Sequence, residues 1–331
     1  MPKILVSMIA YRERFLAESV RDCLDKADSP ENLIFSIVSE QALDSQHADL
    51  SFVDPDKLVY RKYDLSEYRS IMWSRNKTTD VDFDYDYILY TCGHNLYAKG
   101  WDSLVLDAIE TAEKYADKAI ITSSGPEFEF VEDGSISYEP RSGRTMNKYR
   151  PRISADFVPG YGFPNSLQSE VPLDVDVVED VYMQWSWVFA PKQYVIDVPI
   201  DTEMGYHGEE IYLTVISWCR GWRFFATPKV LYFHDTYKEY PGENKSRMIS
   251  HRPWVDVNQK KFWSHSDQAM RRLNKMLSGN LYEDITIDKI LEYCEYSGLN
   301  PKYCTPYSDY SNIGLERHAE PTRTWDPYLG N

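Results

Sequence analysis

Through residue 123 the chain alternates short apolar runs with segments of helical spacing, and few folds accept that order. Ile4–Ala10 reads as a buried strand, and Phe15–Lys26 follows with apolar residues at helical intervals. Leu33–Ser39 and the weaker Lys57–Lys62 are the next strands. Tyr68–Thr78 is helical, Tyr85–Thr91 a strand, Trp101–Ala116 an amphipathic helix and Lys118–Ser123 another buried strand. Strands separated by helices pair in parallel, because each crossover must return over a sheet face. The expected fold is therefore α/β: a mostly parallel, Rossmann-like sheet wrapped by helices.

The pattern then changes. Residues 124–172 are rich in Gly, Pro, Ser and charge, with a hairpin signal at Asp133-Gly134, and read as an inserted loop or lid. Strand character returns at Tyr182–Ala190 and Arg223–Phe233, separated by a helix over Gly208–Cys219. Two further helices are expected at Asn258–Leu277 and Ile287–Tyr296, followed from Asn300 by an irregular tail. The expected organisation is a catalytic domain over residues 1–250 and a helical extension with its tail over residues 251–331.

The formal charge of −16 is unevenly distributed. Arg141, Arg144, Lys148, Arg150 and Arg152 face only Glu139 in one stretch, and Lys and Arg outnumber acids over residues 238–275. Two basic islands in an acidic chain suit phosphate recognition, and solvated loop and helix faces explain each equally well. Cys23, Cys92, Cys219, Cys294 and Cys304 form no C-x-x-C pair, which suits a reducing compartment. The N-terminal apolar run is short for a signal peptide, and no segment reaches the ~20 apolar residues of a membrane helix. The expectation is a cytoplasmic enzyme with no membrane partner.

In an open α/β sheet, ligands sit beyond the carboxyl ends of the strands. Three expected strands end in informative residues: Tyr11-Arg12, Cys92-Gly93-His94 and His234-Asp235. Two imidazoles at separate strand ends are candidates for one metal, with Cys92 or water completing its shell. Each histidine alone is equally explained as structural. His207-Gly208-Glu209-Glu210 opens a helix, where the dipole favours carboxylates, so capping competes with a role toward a sugar or acceptor hydroxyl. Neither a Gly-rich phosphate loop nor a G-x-S-x-G elbow is present, which leaves hydride transfer and serine hydrolysis without support.

Taken in order, these pieces resemble the cytoplasmic polypeptide N-acetylglucosaminyltransferases of the hydroxyproline-directed type. Ser7-Met-Ile-Ala-Tyr11-Arg12 is similar to that family's first strand, Arg75 falls at its "A-R" pair, and Cys92-Gly93-His94 with Tyr97 and Trp101-Asp102 is similar to its "D-S-H…F…W-D". Phe189-Ala190, Val198-Pro199-Ile200-Asp201, Gly208-Glu209-Glu210, Gly221-Trp222, Phe225-Ala226-Thr227-Pro228, Tyr232-Phe233-His234 and Arg271-Arg272-Leu273 continue the match to about residue 298.

The resemblance implies a GT-A fold, a UDP-sugar donor, a divalent cation (Mn²⁺, with Mg²⁺ as the other option) and retaining transfer to a hydroxyl on a macromolecule. It implies that Tyr11, Arg12 and Arg75 meet the nucleotide, with Cys92, Gly93, Trp101 and Asp102 in the same donor-binding stretch. His94 and His234, with Asp235 as a substitute carboxylate, would hold the metal, and Glu209, Glu210 or His207 would serve the sugar or acceptor. The chain departs from the family at Cys92, where an Asp is usual. That leaves a softer metal site, a substitute carboxylate or metal independence open. The acceptor is either a protein hydroxyl or a hydroxymethylated DNA base, the latter as in phage DNA-glucosylating enzymes. A catalytically inactive nucleotide-sugar-binding protein is the remaining alternative.

Overall fold

The computed structural model describes residues 1–41, 47–67, 69–130, 136–138, 144–150, 165–205, 208–234 and 259–299. The alternation read from the sequence is present: β1 (Ile4–Tyr11), α1 (Leu16–Lys26), β2 (Leu33–Gln41), β3 (Leu58–Asp64), α2 (Ile71–Thr79), β4 (Tyr87–Cys92), β5 (Asn95–Tyr97), α3 (Trp101–Ala112) and β6 (Ala119–Thr122). Next come β7 (Phe128–Phe130), β8 (Ile136–Tyr138), β9 (Arg144–Arg150), β10 (Asn165–Glu170), β11 (Val178–Asp180), β12 (Trp187–Pro191) and α4 (Gln193–Asp197). The remainder is α5 (Glu209–Cys219), β13 (Arg223–Ala226), β14 (Tyr232–His234), α6 (Gln259–Leu277) and α7 (Ile287–Ser297).

Eight strands form one sheet in the order β11-β13-β6-β12-β4-β1-β2-β3. β1 pairs in parallel with β2 and β4, β2 with β3, and β6 with β13, while β12 runs antiparallel between β4 and β6. The chain steps outward from β1 to β3 and then returns to the other side of β1 at β4. In open α/β sheets a ligand crevice lies at such a reversal, which here falls at the carboxyl ends of β1 and β4.

Side chains alternate between the two faces, as the pleat requires. Leu5 of β1 and Ile88 and Tyr90 of β4 share one buried cluster with Met72 of α2 and with the apolar faces of α5, α6 and α7. Val6 and Met8 of β1 and Leu89 of β4 join the opposite cluster with Val20 of α1 and Val105 and Ile109 of α3. The C-terminal helices thus bury Met270, Leu273, Ile290 and Tyr293 in the same core as the sheet.

Three expectations needed correction. Tyr182–Ala190 is a strand only from Trp187, because the preceding amides bond to side chains instead of a ladder. Tyr182 N–H donates to Asp180 Oδ1, Met183 to Thr214 Oγ1, Gln184 to Thr122 Oγ1 and Trp185 to Glu210 Oε1, at 3.2, 3.1, 2.8 and 3.0 Å. Arg223–Phe233 is two strands, interrupted where Pro228 removes a donor. The inserted region contains the antiparallel pairs β7–β8 and β9–β10, and the turn at Asp133-Gly134 lies outside the described residues.

Candidate active site

β1 ends at the switch crevice with a change of direction. Arg12 has φ of 52°, a conformation that side chains rarely adopt, while its N–H still donates to Glu40 O at 2.8 Å. Such strain persists only where the surroundings enforce it, and it clusters at functional sites. The turn directs Glu13 inward, where it is buried.

β4 ends beside it. Gly93 N–H donates to Ile9 O at 3.0 Å, and a Cβ at this position would come within 3.1 Å of Ala10 Cβ and Leu16 Cδ1. A side chain here would need its neighbours to give by a few tenths of an ångström, so the two strand ends pack closely over the glycine. His94 follows, and Nδ1 of its ring lies 3.0 Å from Glu13 Oε2.

His234 reaches the same place through a pairing that the sequence does not signal. β5 and β14 are three-residue strands that pair antiparallel, with Asn95 opposite His234. The Nε2 atoms of His94 and His234 are 3.2 Å apart. Burial, and then the neighbouring His94, push the His234 pKa down to about 3, so its imidazole is neutral at physiological pH.

The donor atoms fit a cation in spacing. Metal–imidazole bonds of ~2.1 Å put two nitrogens on one ion roughly 3.0–3.4 Å apart, from cis-octahedral to tetrahedral geometry. Among the described residues, no group of three or more His, Cys, Asp or Glu is arranged to hold a metal. Completion of a shell would fall to water, to phosphate oxygens of a ligand or to Asp235. Both Asp235 and His207 lie outside the described residues, as do Arg141 and Arg152 of the first basic island and residues 238–258 of the second.

Cys92 Sγ lies 3.6 Å from Arg75 Nη2. Burial raises its thiol pKa, with Arg75 opposing and the charges of Glu13 and Glu210 adding to the rise. It remains a neutral thiol, which is a poor metal ligand.

Arg75 itself is fully buried. Its Nη1 donates to Ser7 O (3.1 Å) and Thr91 O (2.5 Å), and Nη2 to Trp185 O (3.3 Å). The guanidinium joins β1, β4 and the approach to β12 through these three carbonyls. Trp101 and Asp102 are likewise in the core. The Trp101 indole donates to Cys23 O at 2.9 Å, and Asp102 accepts from the amides of Asp28 and Ser29 at 2.8 and 2.9 Å. Together they fasten the end of α1 to the start of α3.

The two glutamates of α5 differ. Glu209 Oε2 accepts from Gly208 N–H at 3.0 Å, at the mouth of its own helix. Glu210 reaches across to the segment leading into β12, accepting from Trp185 N–H at 3.0 Å and from the Tyr182 hydroxyl. Burial raises its pKa against those two donors.

Sequence reading missed Glu13 and Glu40. Glu40 closes β2 opposite Tyr11 in the β1–β2 register. Its Oε1 accepts from Ser74 Oγ at 2.6 Å, while the buried Oε2 has no partner. Burial lifts its pKa to about 7, with the Ser74 bond opposing and Glu67 adding to the rise.

The sheet is an α/β sheet whose strand order reverses at β1 and β4, with the two imidazoles paired beyond those strand ends. The profile of the Glycosyltransferase (GlcNAc) family matches residues 46–292, and the chain belongs to that family. No curated protein matches the sequence.

Two solved structures are similar. GalNAc-T7, crystallised with UDP, GalNAc and Mn²⁺, shares 10% identity at a TM-score of 0.48, over 96% of this chain and 59% of that one. TarS of S. aureus shares 15% identity at a TM-score of 0.45, over 89% of this chain and 43% of that one. The chain thus spans less than two thirds of either protein, and membership rests on the family match. Among the described residues, no helix is long and apolar enough to cross a membrane.

Proposed function

We propose that this glycosyltransferase moves a sugar from a UDP-sugar to a hydroxyl of a macromolecular acceptor, with retention, in the cytoplasm. The observation that carries the reading is the convergence of His94 and His234 at the crevice between β1 and β4, their Nε2 atoms 3.2 Å apart. A divalent cation bound there, Mn²⁺ or Mg²⁺, would neutralise charge on the leaving diphosphate. Two imidazole ligands favour Mn²⁺ over Mg²⁺.

The chain's own residues would do the rest. Tyr11, half-buried at the strand end, offers an aromatic surface to the nucleoside. The unpartnered Oε2 of Glu40 would accept a base N–H, since a buried carboxylate oxygen gains most from a fixed donor. Arg12 lies at the same rim, where its charge would meet phosphate. Glu210, oriented by Tyr182 and Trp185, would hold a sugar or acceptor hydroxyl through its remaining lone pairs.

The test is nucleotide release from a panel of nucleotide sugars, with Mn²⁺, Mg²⁺ or EDTA and no acceptor. Release from one UDP-sugar that EDTA abolishes supports donor and metal together. Release that survives EDTA keeps the transferase and removes the metal from His94 and His234. UDP binding with silence across the panel, even after candidate acceptors are added, would favour an inactive binding protein. For the acceptor, retention on DNA that falls steeply with salt would distinguish a modified base from a protein hydroxyl.

A further inference from the structure

We propose that Glu13 is the positioning residue of the histidine pair, fixing His94 with Nδ1 protonated and the Nε2 lone pair directed at His234 and the cation. The inference rests on the metal reading above and adds a residue that reading does not need.

Three observations carry it. Glu13 Oε2 and His94 Nδ1 are 3.0 Å apart, with side chains only 6% and 14% exposed, so water competes little for the contact. The other carboxylate oxygen is fixed, because Oε1 accepts the Phe15 N–H at 2.9 Å ahead of α1. The Glu13 backbone is fixed as well: Gln41 Nε2 donates to Glu13 O at 3.1 Å, and the preceding Arg12 is held at φ of 52° by its bond to Glu40 O.

The chemistry follows from what each atom can do. A carboxylate only accepts, so His94 Nδ1 must donate, and a neutral ring then carries its lone pair on Nε2. That lone pair faces His234 Nε2 at 3.2 Å. With a neutral His94 ring and no cation, His234 would supply the proton between the two Nε2 atoms. To take a cation only His234 would have to change tautomer, its proton moving from Nε2 to Nδ1, while His94 would already be set. A carboxylate behind a ligating histidine also raises the basicity of the ring and limits its rotation. Cys92, a neutral thiol against Arg75, supplies no such charge from β4 itself.

The test compares wild type with Glu13→Ala and Glu13→Gln by ¹⁵N-histidine NMR without metal and by Mn²⁺ titration of the same proteins. The wild type should show His94 protonated at Nδ1, and Glu13→Ala should lose that single tautomer and bind Mn²⁺ about 10- to 100-fold more weakly. Glu13→Gln keeps an acceptor oxygen and the shape of the side chain, which guards against loss of fold. Its one acceptor oxygen can serve either Phe15 N–H or His94 Nδ1–H, so it should keep the tautomer only in part and show a smaller loss of affinity. An unchanged tautomer and unchanged Mn²⁺ affinity in both variants would overturn the proposal. A wild type that binds no Mn²⁺ but loses its tautomer in Glu13→Ala would remove the metal reading and leave the role of Glu13 standing.

Discussion

The imidazoles of His94 and His234 meet at their Nε2 atoms, 3.2 Å apart, although 140 residues separate them in sequence. Register produces the meeting: Asn95 pairs with His234 across β5 and β14, and His94 is the residue before Asn95. A cation between them must lose much of its hold when either ring is removed. His94→Ala and His234→Ala are each expected to cut EDTA-sensitive turnover by at least about 100-fold, the loss expected when charge stabilisation at a leaving group is removed. Steady-state rates against Mn²⁺ concentration check this, and an unaltered metal dependence in either variant sinks the assignment.

Arg75 should act on stability. Its removal leaves the carbonyls of Ser7, Thr91 and Trp185 without their donor. Arg75→Ala is expected to cost at least ~3 kcal/mol, as truncation of a buried, hydrogen-bonded charge generally does. Chemical denaturation measures the loss. A variant of wild-type stability with a raised KM for the donor would restore the nucleotide contact expected from sequence.

Glu40 predicts a pH dependence. Its carboxyl moves from an ordinary 4.5 to about 7 on folding, so between those values the folded state binds more protons than the unfolded one. Stability therefore falls as pH rises through this window, and the penalty is complete above about 7. Glu40→Gln should flatten that fall and leave the variant more stable at pH 8 by up to about 3 kcal/mol, with little difference at pH 4.5. Melting curves across pH decide it, and parallel profiles for the two proteins would rule it out. If Glu40 also accepts a base N–H, the same variant should bind UDP more weakly.

Glu210 is held by the Tyr182 hydroxyl and the Trp185 amide, and the isosteric Glu210→Gln preserves its shape. Transfer is expected to drop by about 100-fold or more, in the range of positioned acid–base groups, with the dissociation constant for UDP within a few-fold. Separate measurement of kcat and nucleotide binding makes the distinction. A proportional loss in both would point to a structural carboxylate.

Gly93 tests the packing at the strand ends. A Cβ there would lie 3.1 Å from Ala10 Cβ and Leu16 Cδ1, so Gly93→Ala should cost about 1–3 kcal/mol by overpacking. A melt at wild-type temperature would show that the two strand ends can part without penalty.

Periodicity determined the longer strands and helices through residue 123, β5 excepted, since an apolar run or a helical stripe records how one segment meets the core. It also put His94 and His234 at strand ends. What only the tertiary structure decided is which residues meet. Three-residue strands such as β5 and β14 are too short to carry a period, so the pairing that brings the two histidines together became visible only in the fold. Glu13 was hidden because its direction depends on the unusual backbone at Arg12, which no composition rule specifies. The family resemblance implies Arg75, Trp101 and Asp102 in the donor-binding stretch, and the fold gives each of them protein partners: Arg75 three carbonyls, Trp101 Cys23, and Asp102 the amides of Asp28 and Ser29. A sequence records the chemical capacity of each side chain, and the fold decides whether that capacity is used internally or left for a ligand.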